Sequence, residues 1–597
     1  MIAREYRDEL RARAERLMVL LSLALVGLAI AFWSVQIMHG ERYRELAENN
    51  RLRRVPIEAP RGLVTDRHGR VLVENVPSYN LLVDGSQVKN LEETVRFAAQ
   101  VLSWPASELA PAAQRIKKGA DYRPVLIAEN LSLAQVSRFG VAGAQHPEFE
   151  IEVGHQRIYR QGSVTAHVLG YLGEVNASDL ATRPELYEPG DLVGRKGIEA
   201  RYDPVLRGRD GERLVVVDSR GRRLEEASRK PAEPGSAMKL TLDLDLQQEA
   251  ARLLADHVGA VVALDPRNGE ILALVSSPSY DPNVFARRLA LEDWQKLIEA
   301  PHHPLHNRAL QSTYSPGSLF KIVMGVAGLA EGFVSPSDTV TCTGATEFYG
   351  RRFRCWKRGG HGTVNLHEAI KYSCDTYFYR LGQRMGVDRI AKASRLFGLG
   401  GPSGIDLAGE KNGLVPDSDW SLRARGHPWY AGETISVSIG QGPVLTTPLQ
   451  MATLLAAVAN GGTRVTPHLV LGAEAPAKPL GVHREALAAV RRGLWAVVNE
   501  GDGTARGARL PHVEIAGKTG TVQVVSQATW TDSDTLPFEQ RDHAWFASFA
   551  PFDDPTLVIV VFFEHGGKGS QAAAPVAKAL YEHFFPADST AVAHLGG

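Results

Sequence analysis

Ser318 and Lys321 stand three residues apart at the head of an apolar run, the first pairing in this chain that could do chemistry. Pro316-Gly317 signals a passage from loop to helix, and residues 322–330 carry neither proline nor charge. A largely buried helix is predicted, with Ser318 in its first turn. Residues three apart share a helix face, which brings the Lys321 amine within reach of the Ser318 hydroxyl. A serine becomes a nucleophile only when a base removes its proton. A lysine is such a base only when desolvation or a neighbouring cation keeps its amine neutral. The helix start adds free N–H groups and a positive dipole end, suited to an oxyanion. Ser-x-x-Lys alone arises by chance in long chains, so other segments must support the reading.

Two stretches do so. Lys518-Thr519-Gly520-Thr521 follows Glu514-Ile515-Ala516-Gly517 in a strand pattern, where every second side chain faces one side. Lys518 and Thr519 are expected to hold a carboxylate there, and Gly520 lets backbone approach a ligand. Between the two lysine motifs, Ser373-Cys374-Asp375 offers a second hydroxyl and an acidic group on a helical or loop segment.

The elements that position these motifs follow from patterning. At 597 residues the chain exceeds what one core fills, so two or more domains are expected. Basic and acidic residues balance at 67 each, which argues against nucleic acid as a partner. Residues 17–38 form an uncharged run long enough to span a bilayer, read as a membrane anchor after a short tail at 1–16. No small-residue cleavage site follows it. Arginines flank the run on both sides, so charge does not orient it. Residues 39–240 read as an α+β platform: paired strands within 59–73, helices at 91–102 and 131–138, a strand at 150–153, and a turn-rich block at 194–208. Breaker-rich residues 228–236 mark a boundary. Beyond it a strand at 239–242, a helix at 245–258 and a hairpin at 261–275 open a second domain, 241–586. Helices dominate its middle to about residue 500, and strands return at 513–525, 544–549 and 557–563 before a helix at 574–584. Strands at both ends of a helical middle predict one antiparallel sheet flanked by helices, an α+β fold. The small, polar tail 587–597 reads as disordered.

Ser-x-x-Lys, Ser-x-Asp and Lys-Thr-Gly, in that order, resemble the motif set of penicillin-binding proteins and serine β-lactamases. Arg61-Gly62, Gly197-Ile198-Glu199, Tyr314 to Lys321, Ser438-Ile439-Gly440-Gln441-Gly442, His543-Ala544-Trp545-Phe546 and the anchor extend the resemblance to class B penicillin-binding proteins over nearly the whole chain. Aspartate at 375, where asparagine is commoner, is similar to the elongation subgroup of rod-shaped bacteria. The resemblance implies a serine β-lactamase-like D,D-transpeptidase domain behind a dimerisation-type platform. It implies an acyl-enzyme on Ser318 formed from peptidoglycan stem peptides and, equally, from β-lactams. Lys321 is then the general base and Ser373 a proton relay. The N–H groups of Ser318 and Thr521 form the oxyanion hole, and Lys518 and Thr519 bind the terminal carboxylate. A single-pass inner-membrane protein with a cytoplasmic N-terminus and periplasmic bulk is implied, partnered by a RodA-type glycosyltransferase and an MreC-type scaffold. A β-lactamase or D,D-carboxypeptidase is the competing enzyme, and a non-turning-over β-lactam sensor the competing non-enzyme.

The cysteines stand apart from this set. Cys342, Cys355 and Cys374 are the only three in the chain and fall in one window with His361 and His367. An oxidising compartment favours one disulfide and a spare thiol. Three thiolates and an imidazole instead complete a tetrahedral zinc site. The resemblance favours His361, within Gly359-Gly360-His361-Gly362, as the fourth ligand of one structural Zn2+.

Overall fold

The computed structural model describes residues 2–43, 52–118, 124–143, 145–188, 190–217, 223–286, 291–473, 476–524 and 533–587. Residue 525 of the expected strand, the first residue of the N-terminal tail and residues 588–597 of the expected disordered tail lie outside them.

The chain forms two compact units that interleave in sequence. Segments 61–76 and 157–207 belong with the C-terminal unit, so the division does not fall at a single cut near residue 240. A single hydrophobic boundary cannot reveal this, because the shared segments carry the same strand and turn patterns as their neighbours.

The first unit begins with the helix Ile2–Trp33, continued by a wider-wound turn over Ser34–Met38. Among the described residues, the stretch Leu10–Met38 is the one helix long and apolar enough to cross a membrane, and none of it is buried by protein. The unit's small core joins Leu81, Val83, Val95, Val101, Ile116, Ile127 and Phe139. The helix Leu91–Leu102 starts on an Asn90 cap and stops at Ser103 in the left-handed region, matching its predicted span. The helix Leu133–Ala142 carries a Ser132/Gln135 capping box. Strands Leu52–Ile57, Gly211–Val217 and Arg223–Lys230 form a separate antiparallel ribbon.

The second unit is built on one five-stranded antiparallel sheet whose strands come from distant parts of the chain. Its order is Ile271–Ser277, Gly259–Leu264, Leu557–Phe563, His543–Ala550, Ala516–Val522. Most strand residues are buried on both faces, which is why they read as continuous apolar runs. The helices Leu244–Leu254 and Ala573–Phe584 are amphipathic, whereas Pro448–Ala459 is buried all round. Helices dominate the middle as expected, but it also holds short strands that were not expected, among them Val340–Cys342, Ala345–Phe348, Arg351–Arg354 and Gly362–Val364, paired as two small ribbons.

Within the arginine- and glycine-containing blocks, Arg61, Glu199 and Asp203 are buried, together with Arg157. Arg61 donates to Glu199 at 2.6 Å and to Asp203 at 2.7 Å, and Arg157 donates to the other Glu199 oxygen at 2.8 Å. The block around 194–208 forms helical turns Gly197–Arg201 and Asp203–Leu206, which present these two acids. Two cations meet two anions, so the buried charge is balanced.

Candidate active site

Ser318 lies on a short 3-10 turn, Gly317–Phe320, which runs directly into the helix Lys321–Ala330. The turn is tighter than the α-helical first turn predicted. Gly317 has φ +55°, and a Cβ there would lie 2.9 Å from Val522 Cγ2 and 3.0 Å from the Thr521 carbonyl. Glycine thus lets the turn pack against the edge strand Ala516–Val522. On the other side Gly440, at φ +71°, accepts the Gly317 N–H on its carbonyl at 3.0 Å, and a Cβ there would sit 2.2 Å from the Gly317 oxygen. The nucleophile turn is clamped between the edge strand and the Ser438–Gly442 segment, a role that sequence reading did not assign. Trp545 Nε1 adds a bond to the Ser315 carbonyl at 3.2 Å.

Lys321 is fully buried. Its amine donates to the Ser373 carbonyl at 2.9 Å, to Ser373 Oγ at 3.1 Å and to Asp375 Oδ1 at 2.6 Å. Those bonds occupy all three ammonium donors, so Lys321 is committed to the Ser-x-Asp motif, in place of the expected bond to Ser318. Ser373 has φ +55°, in the left-handed region, and Asp375 opens the helix Asp375–Met385. That sharp reversal aims both side chains at Lys321. Burial pushes the Asp375 carboxyl up, against the pull of Lys321. Its second oxygen, Oδ2, accepts the Trp356 N–H at 3.0 Å, another partner that spacing did not suggest.

Lys518 also sits elsewhere than expected. It has no exposed surface and its amine donates to the Thr519 carbonyl at 3.1 Å. Burial and the nearby Lys321 push its pKa well down. Period two in a strand separates its side chain from those of Thr519 and Thr521 but does not say which face is inward. Thr519 Oγ1 donates to Thr504 Oγ1 at 3.4 Å, while Thr521 is partly exposed and its Oγ1 accepts the Gly569 N–H at 3.5 Å. At Gly520 the close approach is to Trp545, Leu319 and the Pro316 carbonyl, that is, to the nucleophile turn. The three motifs far apart in sequence therefore surround one point.

The four residues singled out as metal ligands also converge. One ligand atom each of Cys342, Cys355, His361 and Cys374 lies within 4.8 Å of every other. His361 Nδ1 is 3.7 Å from Cys342 Sγ and 3.5 Å from Cys355 Sγ. A tetrahedral zinc with bonds of about 2.3 Å to sulfur and about 2.0 Å to nitrogen sets such pairs about 3.5 Å apart. The sulfurs sit where thiolates are stabilised: backbone N–H groups of Gly344 and His361 point at Cys342, and those of Lys357 and Asp375 at Cys355. A hydrogen bond from Cys374 holds the Cys355 thiol down to about 2, and the same contact raises Cys374. His361 is pushed down by burial but raised overall by its two sulfur contacts. The three thiols are free, and the donor set fits the metal. His367 lies apart from it, bonded to Glu500 at 2.9 Å.

Comparison with known proteins agrees with this geometry. Residues 259–582 match the family described as "Penicillin binding protein transpeptidase domain", and residues 56–240 match "Penicillin-binding Protein dimerisation domain". The peptidoglycan D,D-transpeptidase MrdA of Acinetobacter baumannii is 37% identical over 577 residues, 93% of this chain and 85% of that protein. The solved complex between penicillin-binding protein 2 (PBP2) and MreC from Helicobacter pylori is similar with a TM-score of 0.81 at 29% identity, covering 89% of this chain and 98% of the matched one. A structure entitled "Structural coordination of polymerization and crosslinking by a peptidoglycan synthase complex" is similar with a TM-score of 0.72 at 33% identity, covering 97% and 99%. With its ordered serine and lysine motifs, its antiparallel sheet and these matches over both units, the chain belongs to the class B penicillin-binding proteins, in the penicillin-binding protein 2 group.

Proposed function

We propose that this protein is a peptidoglycan D,D-transpeptidase of cell elongation and rod-shape maintenance that works through an acyl-enzyme on Ser318 and is inhibited by β-lactams. The observation that carries the reading is the meeting of Ser318, Lys321, Ser373 and the 518–521 strand around one turn. Ser318 Oγ attacks the carbonyl of the penultimate D-alanine of a stem peptide. The O–C bond forms, the hydroxyl proton passes to the Lys321 amine, which has first given up one proton to the Asp375 carboxylate that burial pushes up, and the C–N bond to the terminal D-alanine breaks. Ser373 relays a proton to the departing amine, and the N–H groups of Ser318 and Thr521 hold the oxyanion. An amine from a neighbouring stem then attacks the ester, forms the cross-link and returns Ser318. Lys321 must loosen its grip on Ser373 and Asp375 when substrate arrives, as catalytic hydrogen bonds do on forming a Michaelis complex. The terminal carboxylate is held by the hydroxyls of Thr519 and Thr521, with the buried Lys518 amine on the other face of the strand and not a direct surface ligand. The test is labelling with a fluorescent penicillin and mapping of the labelled peptide. Label on Ser318, abolished in Ser318→Ala, is expected, and label elsewhere refutes the reading.

One Zn2+ on Cys342, Cys355, His361 and Cys374 completes the proposal. Its contribution is structural: a closed four-coordinate site cross-links the ribbons of 340–364 to the segment carrying Ser373 and Asp375. Protein purified without chelator is expected to hold about one zinc per chain, and Cys374→Ser to lose it. Metal-free protein with a mapped disulfide overturns the assignment.

The apolar N-terminal helix then serves as the single anchor in the inner membrane. The N-terminus is cytoplasmic and the bulk periplasmic, because the substrate lies outside. Protection of the bulk from protease in spheroplasts refutes that orientation. Residues 39–240 act as a platform for a RodA-type glycosyltransferase and an MreC-type scaffold, in line with the MreC complex and synthase complex formed by similar proteins. Co-purification of both partners after deletion of the platform counts against this role.

A further inference from the structure

Charge is balanced over the whole chain but not beside the Ser-x-Asp motif. Arg351, Arg352, Arg354, Lys357 and Arg358 place five cations within residues 351–358, with no acid among them. All five side chains are exposed. Among the described residues, Arg351, Arg352 and Lys357 have no carboxylate partner. The only acid on the paired strand is Glu347, opposite Arg352. Like charges packed this closely repel one another, and among the described residues no ion pair of Arg351, Arg352 or Lys357 offsets this.

The segment is held firmly. Phe348 and Phe353 pack with Tyr379 and Ile435 under the hairpin of Ala345–Phe348 and Arg351–Arg354, and Tyr379 donates its hydroxyl to the Arg354 carbonyl at 3.0 Å. At the other end Trp356 is fixed by its N–H to Asp375 and its Nε1 to the Tyr372 carbonyl, both at 3.0 Å. Its ring nevertheless stays 51% exposed, and Tyr349 at the hairpin tip is 58% exposed. Flat aromatic faces and exposed cationic side chains on an anchored backbone are therefore presented together, one residue contact away from the carboxylate that grips Lys321. Guanidinium forks match carboxylates in pairs, and exposed aromatic rings supply flat, amphipathic contact area.

Resting on the transpeptidase reading, we propose that the hairpin and the turn after it form a docking surface for a peptidoglycan strand, which they hold by the carboxylates of its stem peptides. The occupant is chosen by charge complementarity and by position. A strand to be cross-linked must pass the active site, and its stems carry carboxylates along their length.

The test uses the full-length protein in detergent and soluble, uncross-linked glycan strands bearing pentapeptides. Binding is measured for the wild type, for the triple variant Arg351→Glu, Arg352→Glu, Lys357→Glu, and for the charge-keeping variant Arg351→Lys, Arg352→Lys. The expected result is binding at least about tenfold weaker for the triple variant at an unchanged melting temperature. The lysine variant keeps most of the affinity, and strands with amidated carboxylates bind as poorly as the triple variant does to native ones. Equal binding by wild type and triple variant overturns the proposal. So does charge-dependent binding to anionic phosphatidylglycerol vesicles without charge-dependent binding to strands. Penicillin labelling of the wild type is scored separately: its absence refutes the transpeptidase reading, whereas its presence with charge-independent strand binding refutes the docking surface alone.

Discussion

Replacing Gly440 by alanine tests whether the Ser438–Gly442 segment sets the position of the nucleophile. Gly440 has φ +71°, and placing an ordinary L-residue there costs about 1–2 kcal/mol. The added Cβ meets the Gly317 carbonyl at 2.2 Å, Phe320 Cβ at 2.7 Å and the Gly317 nitrogen at 2.9 Å. Two of these are backbone atoms of the residue before Ser318, so no side chain can swing aside. Overpacking of this kind adds about 1–3 kcal/mol, and the strain is relieved by moving the turn. A displacement of about 1 Å at a reacting group costs on the order of 100-fold in rate. Gly442 is the control: its φ is +79°, but a Cβ there meets only Ser436 Cβ, at an ordinary 3.8 Å. Gly442→Ala therefore carries the backbone penalty without the clash. Stopped-flow acylation by a fluorescent penicillin should be slower by roughly two orders of magnitude in Gly440→Ala and within about threefold of wild type in Gly442→Ala. Equal rates in the two variants would falsify the claim that this segment clamps the turn.

Three more outcomes follow from buried groups. Arg61→Met leaves Glu199 and Asp203 buried with one fewer cation, a loss of about 3–5 kcal/mol, and should lower the thermal midpoint sharply; adding Glu199→Gln should restore part of it. A wild-type midpoint in Arg61→Met contradicts the balanced-charge account. His167 is pushed down to about 3 by burial, and its Nε2 has no hydrogen-bond partner. Because the folded form resists protonation, its stabilising effect is complete above the unfolded value of 6.5 and is lost as pH falls from 6.5 toward 3, by about 1.4 kcal/mol per unit at most. His167→Gln should flatten the fall in unfolding midpoint between about pH 6.5 and pH 5, and an unchanged slope counts against it. Chelation of the metal should lower the unfolding temperature and slow penicillin acylation together, and an effect on neither removes the structural role proposed for zinc.

Much of the transpeptidase fold is legible because its signals are local. The sheet strands are apolar runs of the right length, and Leu557–Phe563 falls on its predicted bounds. The short ribbons of 340–364 escaped notice because Arg351–Arg354 is three-quarters arginine and has neither an apolar run nor a polar–apolar repeat long enough to count. What holds it in place is Phe353 packing on Tyr379, a contact made across the fold. The site shows the same contrast. Lys321 reaching Ser318 is the contact that helical spacing suggests. The contact formed, to Asp375, depends on a left-handed Ser373, a residue type that rarely adopts that region and gives no sequence cue.

The cysteine cluster shows how far local reading can reach when chemistry supplies the long-range constraint. Sequence distance from Cys342 to Cys374 says little about proximity, yet thiols and an imidazole in one window have few other uses, and the four donors do converge. Glycines supply no comparable constraint. Gly440 and Gly317 each read as a turn residue, but a side chain on Gly440 would meet Gly317 and one on Gly317 would meet Thr521 and Val522, each more than a hundred positions away. Cys374 joins the two situations, since it stands between Ser373 and Asp375 and no movement of the cluster can spare the motif that holds Lys321. Loss of a ligand at Cys374 should therefore disturb acylation more than loss at Cys342, which sits on the strand Val340–Cys342 and bonds the motif's helix through Thr376 at 3.3 Å. Comparing the acylation rates of Cys374→Ser and Cys342→Ser, at matched metal content, measures that difference. Identical slowing in the two variants refutes a role for the cluster as a positioning device for Ser373 and Asp375.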